Sequence, residues 1–274
     1  MPDALRVVLT MLAGFVTGIL SGMFGIGGAV ISNPSLRALG ASPIQSVGST
    51  LPSIIPAAIS GSLRYRREGL LRAEVIRWVG PVGAAASVGG ALLSDQLPGD
   101  GHLLTMSVAA LMGYTAVRTA RRPVATPDVE HTPEADVEMA VAGPPGDQRH
   151  APWELVTIGL LAGTLSGLLG IGGGLFMVPA FSGWLRMPLK PTIATSLACV
   201  AIIAVPGMIT HAVQGHVDWV LAIPLAVGVV PGARVGASIT IGTSERRLRV
   251  LVAIALGVLG AVYAIEELYA LLSS

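Results

Sequence analysis

Residues 21–28, SGMFGIGG, interrupt a long apolar run with four glycines, and residues 166–173, SGLLGIGG, repeat the interruption in the second half of the chain. The likeness extends outward from these two strings. Gly14, Gly18, Leu20, Ser21, Gly22, Gly25, Ile26, Gly27, Gly28, Pro34, Pro43 and Thr50 align with Gly159, Gly163, Leu165, Ser166, Gly167, Gly170, Ile171, Gly172, Gly173, Pro179, Pro188 and Thr195. That is 12 identities over residues 14–50, where chance in an apolar, glycine-rich chain gives roughly three. The chain is a duplication, and each copy carries its glycine cluster inside a hydrophobic segment.

The surrounding composition fixes the class. Only 12% of the 274 residues are charged and 52% are hydrophobic, against about 25% charged in a soluble domain. No Asp, Glu, Lys or Arg occurs in residues 7–36, 38–63, 155–185 or 191–217. Apolar runs of about 18 residues or more read as membrane spans, so the sequence describes an all-α polytopic protein of the cell membrane, surrounded by the lipid bilayer. A net charge of +1 gives no bulk field for nucleic acid. The single cysteine, Cys199, excludes an internal disulfide and reads as a small buried apolar residue. The apolar N-terminus has the look of a secretory signal, but its counterpart in the second half assigns it to the fold.

Three regions follow: a first transmembrane repeat at 1–122, a linker at 123–152 and a second repeat at 153–274. The linker is rich in proline and acids, lacks apolar periodicity and reads as solvated and disordered; an acidic interaction segment is the alternative. Each repeat parses as an apolar arm (5–21; 154–166), the glycine break, a second short arm (29–39; 174–185) and three longer spans. The spans fall near 43–63, 75–94 and 102–119, then near 191–213, 219–242 and 249–268. The arms are near or below the ~20 residues that a crossing helix needs.

Basic residues set the orientation. In the first repeat Arg64, Arg66, Arg67, Arg72 and Arg77 lie between the first and second long spans. In the second repeat the equivalent loop holds His211, His216 and Asp218, and the basic cluster Arg246, Arg247 and Arg249 has moved one loop on. Opposite polarity requires an odd number of crossings per repeat. The expected architecture is two inverted repeats, each a Gly-broken re-entrant helical hairpin plus three transmembrane helices. Both termini then lie outside and the linker is cytoplasmic. A parallel four-plus-four arrangement is the alternative.

Irregular backbone at membrane depth is tolerated when it is buried in protein or lines a cavity. Paired breaks in two inverted halves point to a transport site near the midplane. The second arm of each hairpin starts at the break, so its N–H groups and positive dipole end face the centre, where they suit an anion. Gly25, Gly27 and Gly28 with Gly170, Gly172 and Gly173 are assigned to this site. Gly14, Gly18 and Gly22 with Gly159, Gly163 and Gly167 form small-xxx-small faces and are assigned to helix packing. The hydroxyls of Ser21, Ser49, Thr50, Ser166, Thr195 and Ser196 are candidate donors to an oxyanion, with back-bonding to their own helices as the alternative. Asn33 is read in the same way. Arg234 is the basic side chain well inside a span and is weighed between anion contact and structural pairing. His211 is read as interfacial or satisfied rather than as a proton carrier.

The doubled string G-x-x-S-G-x-x-G-I-G-G-[AG], followed by Pro34 in one half and Pro179 in the other, resembles the TauE/SafE sulfite exporter family over essentially the whole chain outside the linker. The resemblance implies a transporter of sulfite, sulfoacetate or a related organosulfur anion, usually an exporter. The first string ends in Ala29 where the second has Gly174, which is expected to make the hairpins unequal. The resulting expectation is a secondary transporter of small sulfur oxyanions working by alternating access, with an anion channel or a membrane-embedded enzyme as alternatives. No nucleophile–base pair and no metal-ligand spacing is readable, so no catalytic residue, metal or cofactor is expected. The number of chains in the assembly stays open, a homo-oligomer included.

Overall fold

The computed structural model describes residues 3–94, 150–170, 172–244, 246–255, 257–258 and 261. All regular structure among them is helical: α1 (Asp3–Phe24), α2 (Ala29–Ala38), α3 (Pro43–Arg66), α4 (Ala73–Ser94), α5 (Pro152–Leu169), α6 (Gly174–Gly183), α7 (Leu189–Val213) and α8 (Trp219–Gly242), followed by helical residues 246–255. The expected span at 102–119 and almost all of the linker lie outside the described residues, as does the end of the span expected at 249–268.

Local signals set the helix starts. Ser42 caps α3 through a complete capping box: its hydroxyl accepts the Gln45 N–H, and the Gln45 side chain accepts the Ser42 N–H, with Pro43 at the first helical position. Asp218 caps α8 by accepting the Val220 N–H at 2.9 Å. Pro152 opens α5. Prolines also occur inside helices, Pro52 and Pro56 in α3 among them. Neighbouring helices and serine or threonine hydroxyls make such breaks tolerable in a membrane.

Four helices among the described residues are long and apolar enough to cross a bilayer: Ala4–Phe24, Ala73–Ser94, Leu189–Val213 and Trp219–Gly242. The first corrects the sequence reading. The leading arm, expected over 5–21, is a helix of 22 residues and by length can span the membrane; its counterpart α5 has 18. Helix α3 has the length of a span, at 24 residues, but is rich in Ser and Pro. It is mostly enclosed by protein, with Leu51, Ile54, Ala57 and Ala58 buried.

Two helix pairs unite the halves. Gly14, Gly18 and Gly22 of α1 face the carbonyls of Leu225, Val229 and Ala233 on α8, and Gly228, Gly232 and Gly236 return the contact to the carbonyls of Met11, Phe15 and Ile19. The residue numbers rise together, so α1 and α8 run in the same direction with their backbones touching. Helices α5 and α4 repeat this: Gly159, Gly163 and Gly167 face the carbonyls of Val79, Gly83 and Ser87. All six glycines assigned to packing are therefore interface residues, as small-xxx-small geometry requires. Between the pairs lie α3 and α7, running in opposite directions. The Asp218 N–H, just past α7, donates to Ser49 Oγ early in α3 at 2.8 Å, and the Arg72 N–H, past α3, donates to Thr195 Oγ1 early in α7 at 3.1 Å.

The outward faces are apolar. Val8, Leu12, Leu160, Ile209, Val220 and Ile223 are exposed, as suits helices that turn side chains toward lipid. Trp153 and Trp219, exposed at the first turns of α5 and α8, and Trp184, exposed at the end of α6, suit the interfacial belts of a membrane protein.

Candidate functional site

Each helical arm stops for the same reason. Gly25 and Gly170 adopt left-handed backbone, φ 69° and 64°, while their N–H groups still close onto Ser21 O and Ser166 O at 2.8 and 2.9 Å. Gly27 and Gly28, with φ 86° and 83°, and Gly172 and Gly173, with φ 72° and 69°, continue the left-handed path. An L-residue pays about 1–2 kcal/mol at each such position, so the string GxGG is a conformational requirement. Gly28 and Gly173 then sit at the N-caps of α2 and α6, and neither helix start has a side-chain cap. The unfilled donors of a helix N-terminus therefore face protein interior: Ile26 and Ala29 are buried on one side, Gly174 and Leu175 on the other.

The two breaks meet. A β-carbon at Gly174 would collide with the Gly25 carbonyl and with the backbone of Ile26. Ser196 Oγ donates to that same Gly25 carbonyl at 2.9 Å. Each break also leans on the start of the opposite half's central helix: a β-carbon at Gly25 would lie 2.7 Å from Ile193 O, and one at Gly170 would lie 2.5 Å from Val47 Cγ1. At Gly172 it would meet Val200 of α7 and Ile54 of α3, and at Gly28 the side chains of Thr17 and Ser21. The glycines thus answer to close protein packing as well as to backbone conformation.

The candidate hydroxyls divide into groups. Ser21 and Ser166 are both buried at 1% exposure one turn before the breaks. Ser21 Oγ is buried with no hydrogen-bond partner, and so is Thr17 Oγ1 one turn earlier. An unpaired buried hydroxyl costs about 1–3 kcal/mol, and two of them sit beside Gly28. Thr17 escapes the repeat, because Ala162 occupies its equivalent position; its spacing of four residues from Ser21 on one helix face was the available signal. Ser49 and Thr195 instead hold the interhelical loops of the opposite half, as described above. Thr50 Oγ1 lies 2.7 Å from both Asn33 Oδ1 and Ser46 O, tying α3 to α2.

Arg234 is exposed, and its Nε donates to Ser60 Oγ at 3.1 Å, while Ser60 Oγ donates to Val230 O. The geometry gives it structural pairing and does not bring it to the breaks. Arg72, counted from sequence only as part of a basic loop, presses its backbone against Thr195 and buries Nε without a partner. His211 is fully buried and hydrogen-bonded, and Cys199 is fully buried. Among the described residues, no group of three or more His, Cys, Asp or Glu is placed to hold a metal ion.

A helical chain with an apolar exterior, four crossing-length helices and an interior built on two broken helices is a multi-pass membrane protein of transporter type. It belongs to the TauE/SafE sulfite exporter family, whose model matches residues 10–263. The chain is 25% identical to the probable membrane transporter protein YunE of Bacillus subtilis, over 96% of its own length and 98% of the relative's. It is 28% identical to the probable membrane transporter protein YdhB of the same species, over 85% and 90%. It is 22% identical to the probable membrane transporter protein MJ0441 of Methanocaldococcus jannaschii, over 92% and 93%. No solved structure matches the chain.

Proposed function

We propose that the protein is a secondary carrier that exports small sulfur oxyanions or organosulfonates, such as sulfite or sulfoacetate, by alternating access, with the paired glycine breaks as the anion site. The observation that carries the reading is the contact of the two breaks next to the unpartnered Ser21 hydroxyl. Two helix N-termini, each equivalent to about half a positive charge, converge in a low-dielectric interior beside a hydroxyl that lacks an acceptor. An oxyanion supplies several acceptors to clustered N–H and O–H donors.

Ser21→Ala tests this directly. Deleting an unpaired hydroxyl leaves folding unchanged or slightly improved. Losing a hydrogen bond to a charged ligand costs about 1.5–3 kcal/mol, a roughly tenfold to hundredfold weaker affinity. Counterflow of labelled sulfite and sulfoacetate in proteoliposomes should show that loss at an unchanged melting temperature. An unchanged half-saturation concentration in Ser21→Ala would move the site away from the break.

We further propose an inverted repeat, each half entering with a hairpin that returns to its own side. The opposed directions of α3 and α7 support it. So does the return of α2, which brings Leu36 against Leu221 and Leu225 at the start of α8 and leaves Gly40 beside Arg6. Domains 1–122 and 153–274 are then the two repeats, joined by a cytoplasmic linker at 123–152. Cysteine labelling reads the topology cleanly because the native Cys199 is fully buried. Gly215→Cys, in open space after α7, should react with an impermeant maleimide on intact cells, and Glu68→Cys, after α3, only once they are permeabilised. Equal labelling of both from outside would refute the inversion.

A further inference from the structure

We propose that Arg72 receives the anion at the cytoplasmic mouth of the paired breaks while Asp218 holds the mirrored place at the outer mouth, an inference that rests on the carrier reading and the inverted topology above. Each break leans on the second turn of the opposite half's central helix, Gly25 on Ile193 of α7 and Gly170 on Val47 of α3. That same turn accepts an N–H from a loop. In α7 the acceptor is Thr195 Oγ1, reached at 3.1 Å by Arg72 at the end of the loop between α3 and α4. In α3 it is Ser49 Oγ, reached at 2.8 Å by Asp218 at the end of the loop between α7 and α8. The two loops occupy equivalent places to within one residue of the repeat register. Each sets one charged residue beside one break, and the signs are opposite.

Arg72 is held firmly but left unsatisfied. Its N–H is fixed on Thr195, and its carbonyl accepts the Ile76 N–H at 3.2 Å. Next to Thr195, the Ser196 hydroxyl donates to the Gly25 carbonyl, so the anchorage of Arg72 continues into the first break. Its Nε is buried with no hydrogen-bond partner, an arrangement that costs free energy until an acceptor arrives. The carboxylates nearby in sequence do not supply one. Glu68 is engaged by Arg64 at 2.6 Å. Glu74 is exposed two positions on, and residues two apart on a helix do not face each other. A guanidinium offers five donors in a planar fork and accepts nothing, which matches an oxyanion with several acceptor oxygens.

Other charges do not cancel the contrast at the two turns. On the cytoplasmic side Lys190 donates to the Ile241 carbonyl at 2.8 Å, and Arg186 precedes α7. Arg72 is the cation that reaches the second turn. On the outer side Arg6 and Arg37 belong to the α1–α2 hairpin, whose end packs toward the start of α8, away from the turn that the second break touches. Asp218 accepts the Val220 N–H there and brings a carboxylate to the equivalent place. A cation at one mouth and a carboxylate at the other give the two open states different affinities for an anion. The difference drives no net flux at equal electrochemical potential. It sets the concentration at which each face saturates, so dilute anion loads the carrier from the cytoplasm and leaves it readily outside.

Initial uptake of labelled sulfoacetate, and of sulfite, into everted and right-side-out membrane vesicles reads the two faces separately. Labelling of Glu68→Cys and Gly215→Cys identifies the face each preparation exposes. Wild type should saturate at a lower concentration from the Arg72 face. Arg72→Met keeps the apolar stem and drops the charge. It should raise the half-saturation concentration at that face about tenfold or more, change the other face less than about threefold, and melt no lower than wild type. Arg72→Lys, a charge without the planar fork, should fall between. Asp218→Asn keeps the helix cap and should tighten the outer face by about threefold. Arg77→Gln removes an exposed charge from α4 and should leave both faces within about twofold. The proposal is overturned if wild type saturates alike from both faces, if Arg72→Met saturates like wild type or weakens both faces equally, if Arg77→Gln weakens binding as much, or if Asp218→Asn leaves the outer face unchanged. A lowered melting temperature in Arg72→Met overturns it too, by making Arg72 a structural clasp. Each of these outcomes leaves the carrier reading standing. Absence of saturable wild-type uptake of either anion at either face removes both.

Discussion

Gly167→Val should leave little or no folded protein in the membrane. The new β-carbon would drive into the Ser87 carbonyl and the Ala91 N–H group of α4. The obstacle is backbone on a rigid helix, so no rotamer change relieves it. The same pair is locked at two further levels, where Gly163 faces the Gly83 carbonyl and Gly90 faces the Thr164 carbonyl. Prying the helices apart at one level forfeits close packing at the others, and the expected loss exceeds about 4–5 kcal/mol, the range reserved for disrupted cores. Gly89→Val on the same helix is the control. Gly89 is exposed and a β-carbon there meets nothing within 4 Å, so that variant should stay within about 1 kcal/mol of wild type. Size-exclusion profiles and melting temperatures in detergent compare the two. A Gly167→Val protein that melts like wild type would rule out the backbone contact between α4 and α5.

Gly174→Ala is the second large effect, and its interest lies in being the residue the first repeat already uses. Position 29, the equivalent of 174, is alanine. A methyl group at 174, however, would collide with the Gly25 carbonyl and press on Ile26. Restoring the symmetry of the repeat should therefore separate the two breaks, costing about 1–3 kcal/mol and lowering transport by roughly tenfold or more, as small displacements at a binding centre do. The reciprocal change, Ala29→Gly, removes one buried methyl and a helix-favouring residue. It should cost about 1–2 kcal/mol and leave transport near normal. Wild-type transport rates in Gly174→Ala would mean that the breaks are not in contact in the working carrier.

How much of this was legible in the sequence depends on whether a residue's partner is local. The left-handed breaks were legible, because Gly25, Gly27 and Gly28 and their mates leave the spacing of one helix face. The packing role of Gly14, Gly18 and Gly22 was legible for the opposite reason. Their partner was also within reach: Gly228, Gly232 and Gly236 repeat the spacing of four on α8. Ser49 and Thr195 were offered to a ligand because nothing near them in sequence reveals that a loop 123 or 169 residues away donates an N–H to each. Arg234 stayed between anion contact and structural pairing because depth within a span does not tell which face a residue takes; its turn of α8 puts it on the exposed face beside Ser60. The arm lengths fell short because α1 continues through Met23 and Phe24, whose backbone keeps helical bonding until Gly25 forces it to stop.

The pairing of α1 with α8 also fixes an order of events during biosynthesis. The glycine stripe of α1 leaves the ribosome before α8, and the helix it fits emerges roughly 200 residues later. At ~5–20 residues per second that interval is about 10–40 s. Throughout it, α1 resides in the membrane with a groove of bare backbone that only a late arrival can fill. A chain cut short before α8 cannot close that groove. The uncovered stripe of α1 is therefore a structural mark by which an unfinished copy differs from a completed one.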